Sequence, residues 1–252
     1  MSTIYDAYSD YVGSICSEKN LKEFKSNPLY TYMLEHVSTH HGKQYLEYIR
    51  KTSLLSIDDV IQFCTINDAT GSPKKEEYPV FLKDVSVSPS SLRYIYHAHL
   101  ILSHMKSLNS DALRDIVEIG GGYGGLCLAI HHLAPKYGVH INSYTICDLT
   151  NIIRLQELYL NHVNPNMNVN FVDAATYGVD IPHDNLFLIS NYCFSEISPD
   201  HQAKYRQCLF SKVEHGFFVW NCIPVYDIGF NILHIDHELP NTGSKFNRYV
   251  WF

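Results

Sequence analysis

Three things are scarce in this chain. No apolar run approaches the ~20 residues that cross a bilayer, and the N-terminus, Met1-Ser-Thr-Ile-Tyr-Asp6, lacks the basic region and apolar stretch of a secretion signal. A soluble, cytoplasmic protein is the expectation. Basic residues are few: 19 Lys plus Arg stand against 26 Asp plus Glu, a formal net charge of -7. A binder of the phosphate backbone wants the opposite balance, so nucleic acid is not an expected partner. Paired cysteines are missing as well. The seven cysteines, at 16, 64, 127, 147, 193, 208 and 222, form no C-x-x-C pair and lie mostly in apolar segments, as small buried hydrophobes of a reducing compartment do.

What the chain does have is glycine, concentrated in one place. Asp115-Ile-Val-Glu-Ile-Gly-Gly-Gly-Tyr-Gly-Gly-Leu-Cys-Leu-Ala-Ile-His-His-Leu133 reads as a short buried strand, a glycine turn and the opening of a helix. Gly120, Gly122 and Gly124 allow backbone angles and a closeness of approach that any Cβ would obstruct. The helix that follows turns unpaired N–H groups and the positive end of its dipole toward a ligand. A nucleotide cofactor is implied, either S-adenosylmethionine or a dinucleotide, because Gly120, Gly122 and Gly125 also satisfy the G-x-G-x-x-G pattern. After a helix over 125–134 and a loop Pro135-Lys-Tyr-Gly138, the run Ile141-Asn-Ser-Tyr-Thr-Ile-Cys147 reads as the second strand. Asp148 stands at its C-terminal end, where a carboxylate can accept both ribose hydroxyls of either cofactor. It lies 28 residues beyond Gly120, against roughly 20 for the dinucleotide fingerprint, which leans toward the methyl donor. Glu118, just before the glycines, adds to that lean, since a carboxylate there suits an ammonium or sulfonium better than a pyrophosphate.

On these residues the chain resembles class I S-adenosylmethionine-dependent methyltransferases, and within them a family of sugar O-methyltransferases. Val117-Glu-Ile-Gly-Gly-Gly-Tyr-Gly-Gly125 is similar to that family's glycine motif. Tyr144-Thr-Ile-Cys-Asp-Leu149, Leu155-Gln-Glu-Leu-Tyr-Leu160 and Ser190-Asn-Tyr-Cys-Phe-Ser-Glu-Ile197 match further motifs of the family. The likeness covers roughly residues 115 to 210 well, the C-terminal segment loosely and the first hundred residues weakly. It implies a Rossmann-like α/β fold whose seven-stranded sheet is mostly parallel and ends in an antiparallel hairpin. It also implies S-adenosyl-L-methionine as cofactor, held by Glu118, Gly120, Gly122, Gly124, Asp148, Leu149, Asp173, Ala174 and Asn191.

At 252 residues the chain can bury one sizeable core, with a modest addition. Residues 1–112 read as a helical N-terminal cap, and 113–252 as the S-adenosylmethionine-binding catalytic domain. Pro28 suits the first turn of a helix running through Leu29-Tyr-Thr-Tyr-Met-Leu-Glu-His-Val37, and apolar residues recur at helical spacing through Tyr48 and Ile49. Ser56-Ile-Asp-Asp59 resembles a capping box opening a helix to Thr65. Asn67 to Pro79 is a polar stretch rich in turn formers, a loop or lid. Ser88 to Leu102 restores the helical pattern. Arg93 in that helix could hold the methionine carboxylate or an acidic substrate, or be a solvated helix arginine, and Tyr94, Tyr96 and His97 could line a pocket or pack a core.

The second half alternates strands with crossover helices. Met167–Val172 is the third strand, Asn185–Asn191 the fourth and Gly216–Asn221 the fifth, with a helix over Pro199–Phe210 between the last two. Asp173 and Ala174 follow the third strand, where the carboxylate could accept the adenine amino hydrogen. Phe230–Asp236 and Phe246–Phe252 are strand-like and joined by too few residues for a helical crossover, so they pair as a hairpin. A terminal hairpin belongs to the class I methyltransferase sheet and is usually absent from dinucleotide dehydrogenases.

A sulfonium methyl is already electrophilic, so the protein has to align an acceptor, exclude water and remove the acceptor's proton; no metal is required. The base is expected on loops above strands four to six. Glu196 has the better placement and His237 the better intrinsic pKa, with Asn221 as an orienting group and Tyr192 and Trp220 as stacking surfaces. His234-x-x-His237 with Asp236 and Glu238 is the cluster whose composition could hold a divalent ion. The expected activity is methyl transfer to a sugar hydroxyl of a glycan or nucleotide sugar. Transfer to a small phenol or amine, a nicotinamide-dependent oxidation and a noncatalytic scaffold are the alternatives. A homodimer, or a segment of a larger glycan-processing protein, is compatible with the chain.

Overall fold

Helix starts follow capping chemistry. The computed structural model describes residues 4–15, 21–80, 85–108 and 113–252; Cys16 and the expected boundary at 112/113, which abuts segment 109–112, fall outside or at the edge of the described residues. Helix α1 spans Ile4–Gly13. Asn27 caps α2 (Pro28–Met33), its side chain accepting from Leu29 N–H at 2.9 Å, with Pro28 in the first turn. The helix expected to run to Val37 stops at Met33, and Ser38 caps a new one, α3 (Thr39–Lys51). Ser56 and Asp59 form the expected reciprocal capping box of α4 (Ile57–Asn67). The loop beyond it carries only the two-residue strand β1 (Glu76–Glu77), paired with β2 (Ser86–Val87). Its start is tied down, since buried Asp68 accepts from Ser88 N–H at 2.7 Å and from the Ser91 hydroxyl at 2.6 Å. Ser88 caps α5 (Pro89–Ser107).

Strand β3 (Leu113–Ile119) leads through the glycine turn into α6 (Gly125–Tyr137). That helix continues through Pro135, where the loop was expected, because its end is set by Gly138. Gly138 has φ 68° and its N–H and that of Val139 return to the carbonyls of Pro135 and Ala134. There follow β4 (His140–Asp148), α7 (Thr150–Val163), β5 (Val169–Asp173), β6 (Leu186–Asn191), α8 (Pro199–Cys208), β7 (Val213–Trp220), β8 (His234–His237) and β9 (Arg248–Trp251).

The main sheet has the order β5-β4-β3-β6-β7-β9-β8. β3 to β7 are parallel, and β9 runs antiparallel to both β7 and β8. This is the mostly parallel, Rossmann-like seven-stranded sheet with a closing antiparallel hairpin that the sequence leads one to expect. The hairpin strands are shorter than expected. Phe230 stacks on Phe252 at 4.3 Å and on Phe210 at 4.5 Å instead of joining a ladder, so β8 begins only at His234.

By compactness the chain forms two units. The first comprises residues 1–110, 122–139 and 154–167, so it gathers α6 and most of α7 with the N-terminal helices; the second comprises 111–121, 140–153 and 168–252. The core of the second is built from Val117, Ile119, Leu188, Phe218, Trp220, Val250 and Phe252. A Cβ on Gly216 would lie 2.3 Å from the Phe252 ring and 2.5 Å from the Leu188 carbonyl oxygen. Gly216→Ala is therefore expected to cost about 3 kcal/mol through overpacking, read as a lower urea midpoint at unchanged slope. Among the described residues no helix is long and apolar enough to cross a membrane. The six described cysteines are free; Cys64, Cys127 and Cys147 are buried as expected, whereas Cys222 is exposed because it lies in the loop after β7.

Candidate active site

The cradle sits at the C-terminal ends of β3 and β4. Gly120 leaves β3 with φ 77°, and its N–H donates to the Cys147 carbonyl at 3.0 Å. A Cβ there would lie 2.4 Å from Cβ and Sγ of Cys193, so this position tolerates only glycine. Gly121 N–H donates to Asp148 Oδ2 at 3.0 Å, and Leu149 N–H to Oδ1 at 2.8 Å. Asp148 is thereby fixed against the turn before any ligand arrives. Leu149, which follows it, leaves 52% of its surface exposed.

Asp173 stands opposite Asp148 in the β4–β5 register. Its carboxylate accepts from the Thr150 hydroxyl at 2.5 Å and from Ala175 N–H at 2.8 Å, and these two bonds hold its pKa below the usual carboxylate range. Ala174 opens the short 3-10 turn that Asp173 caps.

Glu118 is 1% exposed inside β3 and accepts from the Tyr144 hydroxyl at 2.8 Å. Burial pushes its pKa up to about 8, with the Asp148 charge adding to the rise and the Tyr144 bond opposing it. At neutral pH the group is therefore mostly a neutral acid. A cation brought beside it would draw the proton off.

In the first unit, the rest of the turn is held by the segment that resembles the family motif over 155–160. Gln156 Nε2 donates to the Gly122 carbonyl at 2.9 Å, and Leu160 lies 3.0 Å from where a Cβ on Gly124 would be. Gly122 and Gly124 have φ 57° and 95°. Tyr123 is packed edge-on against Tyr159 and Tyr94, and the Lys25 ammonium sits 4.2 Å from its ring centre. Desolvation lowers the Lys25 pKa to about 8. Arg93 is 6% exposed and donates from Nη2 to the Leu34 carbonyl at 3.0 Å, so it is not a solvated helix arginine. Tyr94, Tyr96 and His97 are buried among Tyr123, Tyr45 and Tyr48 and belong to a core.

In the second unit, the ends of β6 and β7 carry a polar chain. The Ser195 hydroxyl donates to Asn221 Oδ1 at 2.6 Å, Asn221 N–H returns to Ser195 Oγ at 3.0 Å, and Asn221 Nδ2 donates to Glu196 Oε1 at 2.5 Å. Glu196 and Asn221 are thus brought together, with the Glu196 carboxylate exposed. Asn191 is half-buried at the end of β6. Tyr192, next along, takes φ 60° and donates its hydroxyl to Glu238. Trp220 is fully buried with its Nε1–H on the Ile223 carbonyl at 2.8 Å, so it cannot stack on a ligand.

His237 is exposed on β8, and β9 and β7 separate that strand from β6. The composition of 234–238 does not make a cation site. His234 pairs with Asp236 at 2.9 Å while Glu238 turns into the interior, and among the described residues no group of three His, Cys, Asp or Glu could hold a metal ion. Ser195, and Glu238 with its donors Thr242 and Asn247, are the polar groups that sequence reasoning missed or misplaced. Only the Ser190–Ile197 motif pointed near them.

No protein-family model and no curated protein sequence matches the chain. Among solved structures it is similar to a SAM-dependent methyltransferase from Aquifex aeolicus, with 13% identity over 59% of this chain and 86% of that one at a TM-score of 0.44. It is also similar to an S-adenosylmethionine-dependent methyltransferase from Clostridium acetobutylicum ATCC 824, at 15% identity, 49% of each chain and a TM-score of 0.40. A third is an O-methyltransferase family protein from Burkholderia thailandensis, at 9% identity, 64% of this chain, 57% of that one and a TM-score of 0.41. The aligned part spans about half the length of the latter two proteins.

Proposed function

We propose that the chain is an S-adenosylmethionine-dependent O-methyltransferase acting on a sugar hydroxyl of a glycan or nucleotide sugar. The observation that carries the cofactor is Asp148. Its two oxygens are pinned by the N–H groups of Gly121 and Leu149, which leaves lone pairs for a vicinal diol and no freedom to turn away. A ribose supplies that diol. The exposed Leu149 offers an apolar seat for the purine, and Asp173 with Ala174, in register beside it, suits the adenine amino group. The turn has no room for a Cβ at Gly120, which is the close approach that a nucleotide cradle needs.

When bound, the cofactor supplies an electrophilic sulfonium methyl. The chain's own residues have to orient the acceptor and take its proton. Glu196 Oε1, held by the Asn221 amide, is the base in this reading, and Ser195 and Asn221 position it. A chain of alternating hydroxyl, amide and carboxylate groups also matches the paired donors and acceptors of a sugar better than it matches a phenol. Glu196 is bonded to Asn221 at the ends of β6 and β7, which favours it over the exposed His237.

The test is incubation with methyl-labelled S-adenosylmethionine and separate panels of nucleotide sugars, oligosaccharides, phenols and amines. Label is expected on a sugar hydroxyl, with the rate cut by about 100-fold or more in Glu196→Gln, the usual scale for loss of a general base. Label on a phenol or amine would overturn the sugar assignment.

A further inference from the structure

The open edge of the main sheet is β8. Among the described residues this strand has a neighbour, β9, on one side only, and all four of its residues, His234 to His237, are exposed. Leu233 and Ile235 leave 53% and 42% of their surface in water. Glu238 N–H donates to the Asn247 carbonyl. Successive residues of a strand turn their backbone groups to opposite neighbours, so His234 and Asp236 face β9 as Glu238 does, and Ile235 and His237 present theirs to the open side. Soluble proteins usually blunt such an edge with lysine, proline or a covering segment. β8 has no lysine or proline, lies exposed along its whole length and carries a branched apolar residue near its centre.

The charges of β8 fit a copy of itself. His234 and Asp236 share one face, 2.9 Å apart, with the His234 ring against that of Trp251. An antiparallel pairing of two such strands is self-complementary about a two-fold axis, and its register decides which groups meet. Centred on Asp236 it opposes two carboxylates, and centred on His237 it opposes two imidazoles. Centred on Ile235 it sets Ile235 against Ile235, Leu233 opposite His237, and His234 of each copy opposite Asp236 of the other. Like charges directly opposite weaken a ladder, whereas opposite charges and apolar pairs support it.

We infer that β8 is a self-association edge, through which two copies of the chain pair antiparallel about Ile235 and continue one sheet through both. The occupant is a second copy because this strand supplies at once an acid for His234 and an imidazole for Asp236. So short an edge buries little surface, which places the dimer at the weak, concentration-dependent end of protein association. The inference stands apart from the methyl-donor reading.

Sedimentation equilibrium of the whole chain from about 1 to about 200 µM tests this, a range that spans the affinity of a small interface. The wild type is expected to pass from monomer to dimer across it, with amide exchange at Ile235 and His237 slowing as the dimer forms. Ile235→Pro removes an N–H that points away from β9, and Asp236→Lys sets a cation opposite His234. Each is expected to weaken association by about tenfold or more, because the two-fold axis counts every change twice. The exchanged pair, His234→Asp with Asp236→His, keeps acid opposite imidazole and is expected to keep the dimer. Asp236 is exposed, so Asp236→Lys carries the test even where Ile235→Pro lowers the yield of folded protein. A dimer that persists unweakened in folded Asp236→Lys uses another face and overturns the inference. A wild type that stays monomeric also overturns it, and leaves the edge to an extended segment of another protein.

Discussion

Asp148→Ala is expected to weaken S-adenosylmethionine binding by about 100-fold or more. Two hydrogen bonds from a ribose diol to a carboxylate are lost, and each such bond is worth roughly 1.5–3 kcal/mol. The effect has a second source. In the wild type the carboxylate also holds Gly121 N–H and Leu149 N–H, so its removal frees the backbone that shapes the turn. Asp148→Asn separates the two contributions. The amide retains one acceptor oxygen and gains donors, and it should bind with an affinity between those of the wild type and the alanine variant. Calorimetry gives the affinities, and a thermal melt of each variant without ligand reports the loss from the turn alone. Equal affinities for wild type and alanine variant would remove Asp148 from the site.

The second large effect is a pH dependence of stability that originates at Glu118. Its folded-state pKa is raised from 4.5 to about 8, chiefly by burial. Between those values the native protein retains a proton that the unfolded chain has released, so stability falls as pH rises. The span corresponds to a loss on the order of 4 kcal/mol between pH 4.5 and pH 8. Glu118→Gln cannot lose a proton, and its amide oxygen can still accept from the Tyr144 hydroxyl. Urea unfolding of both proteins at pH 5 and pH 8 should show the wild type losing stability relative to the glutamine variant as pH rises. Parallel curves would mean that Glu118 is charged at neutral pH in the folded protein.

The same raised pKa bears on the cofactor. A donor carrying an ammonium and a sulfonium would favour the charged form of Glu118, so binding should release a fraction of a proton near pH 7. Calorimetry in two buffers of different ionisation enthalpy reads that release directly.

Much of this architecture was legible because it depends on local chemistry. The glycine turn, Asp148 at a strand end, the Ser56–Asp59 capping box and the terminal hairpin each follow from residues close in sequence. The Leu155–Leu160 motif was legible as a pattern but not as a mechanism. That Gln156 and Leu160 serve Gly122 and Gly124 emerges only once α7 is folded beside the turn. Pro135 misled because proline usually ends a helix, whereas the left-handed cap at Gly138 lies three residues on. Phe230 misled because an aromatic residue before β8 has the composition of a strand, yet its ring is taken by Phe252.

Burial was the least legible property. Arg93 and Glu238 look alike in sequence to any exposed charge, and only Glu118, within a strand read as buried, is marked locally as interior. Their partners lie far along the chain: Leu34 for Arg93, Tyr144 for Glu118, Tyr192 for Glu238. The pairing of Ser195 and Glu196 with Asn221 has the same origin, since adjacent parallel strands bring together residues 25 or 26 positions apart. Composition alone suggested a cation site at 234–238, and strand geometry dissolved it.

The most direct measurement is calorimetric titration of nucleotide-stripped protein with S-adenosylmethionine and, in parallel, with NAD and NADP. Saturable binding of S-adenosylmethionine alone, lost in Asp148→Ala, is the predicted result. Binding of NAD or NADP without S-adenosylmethionine would contradict the account.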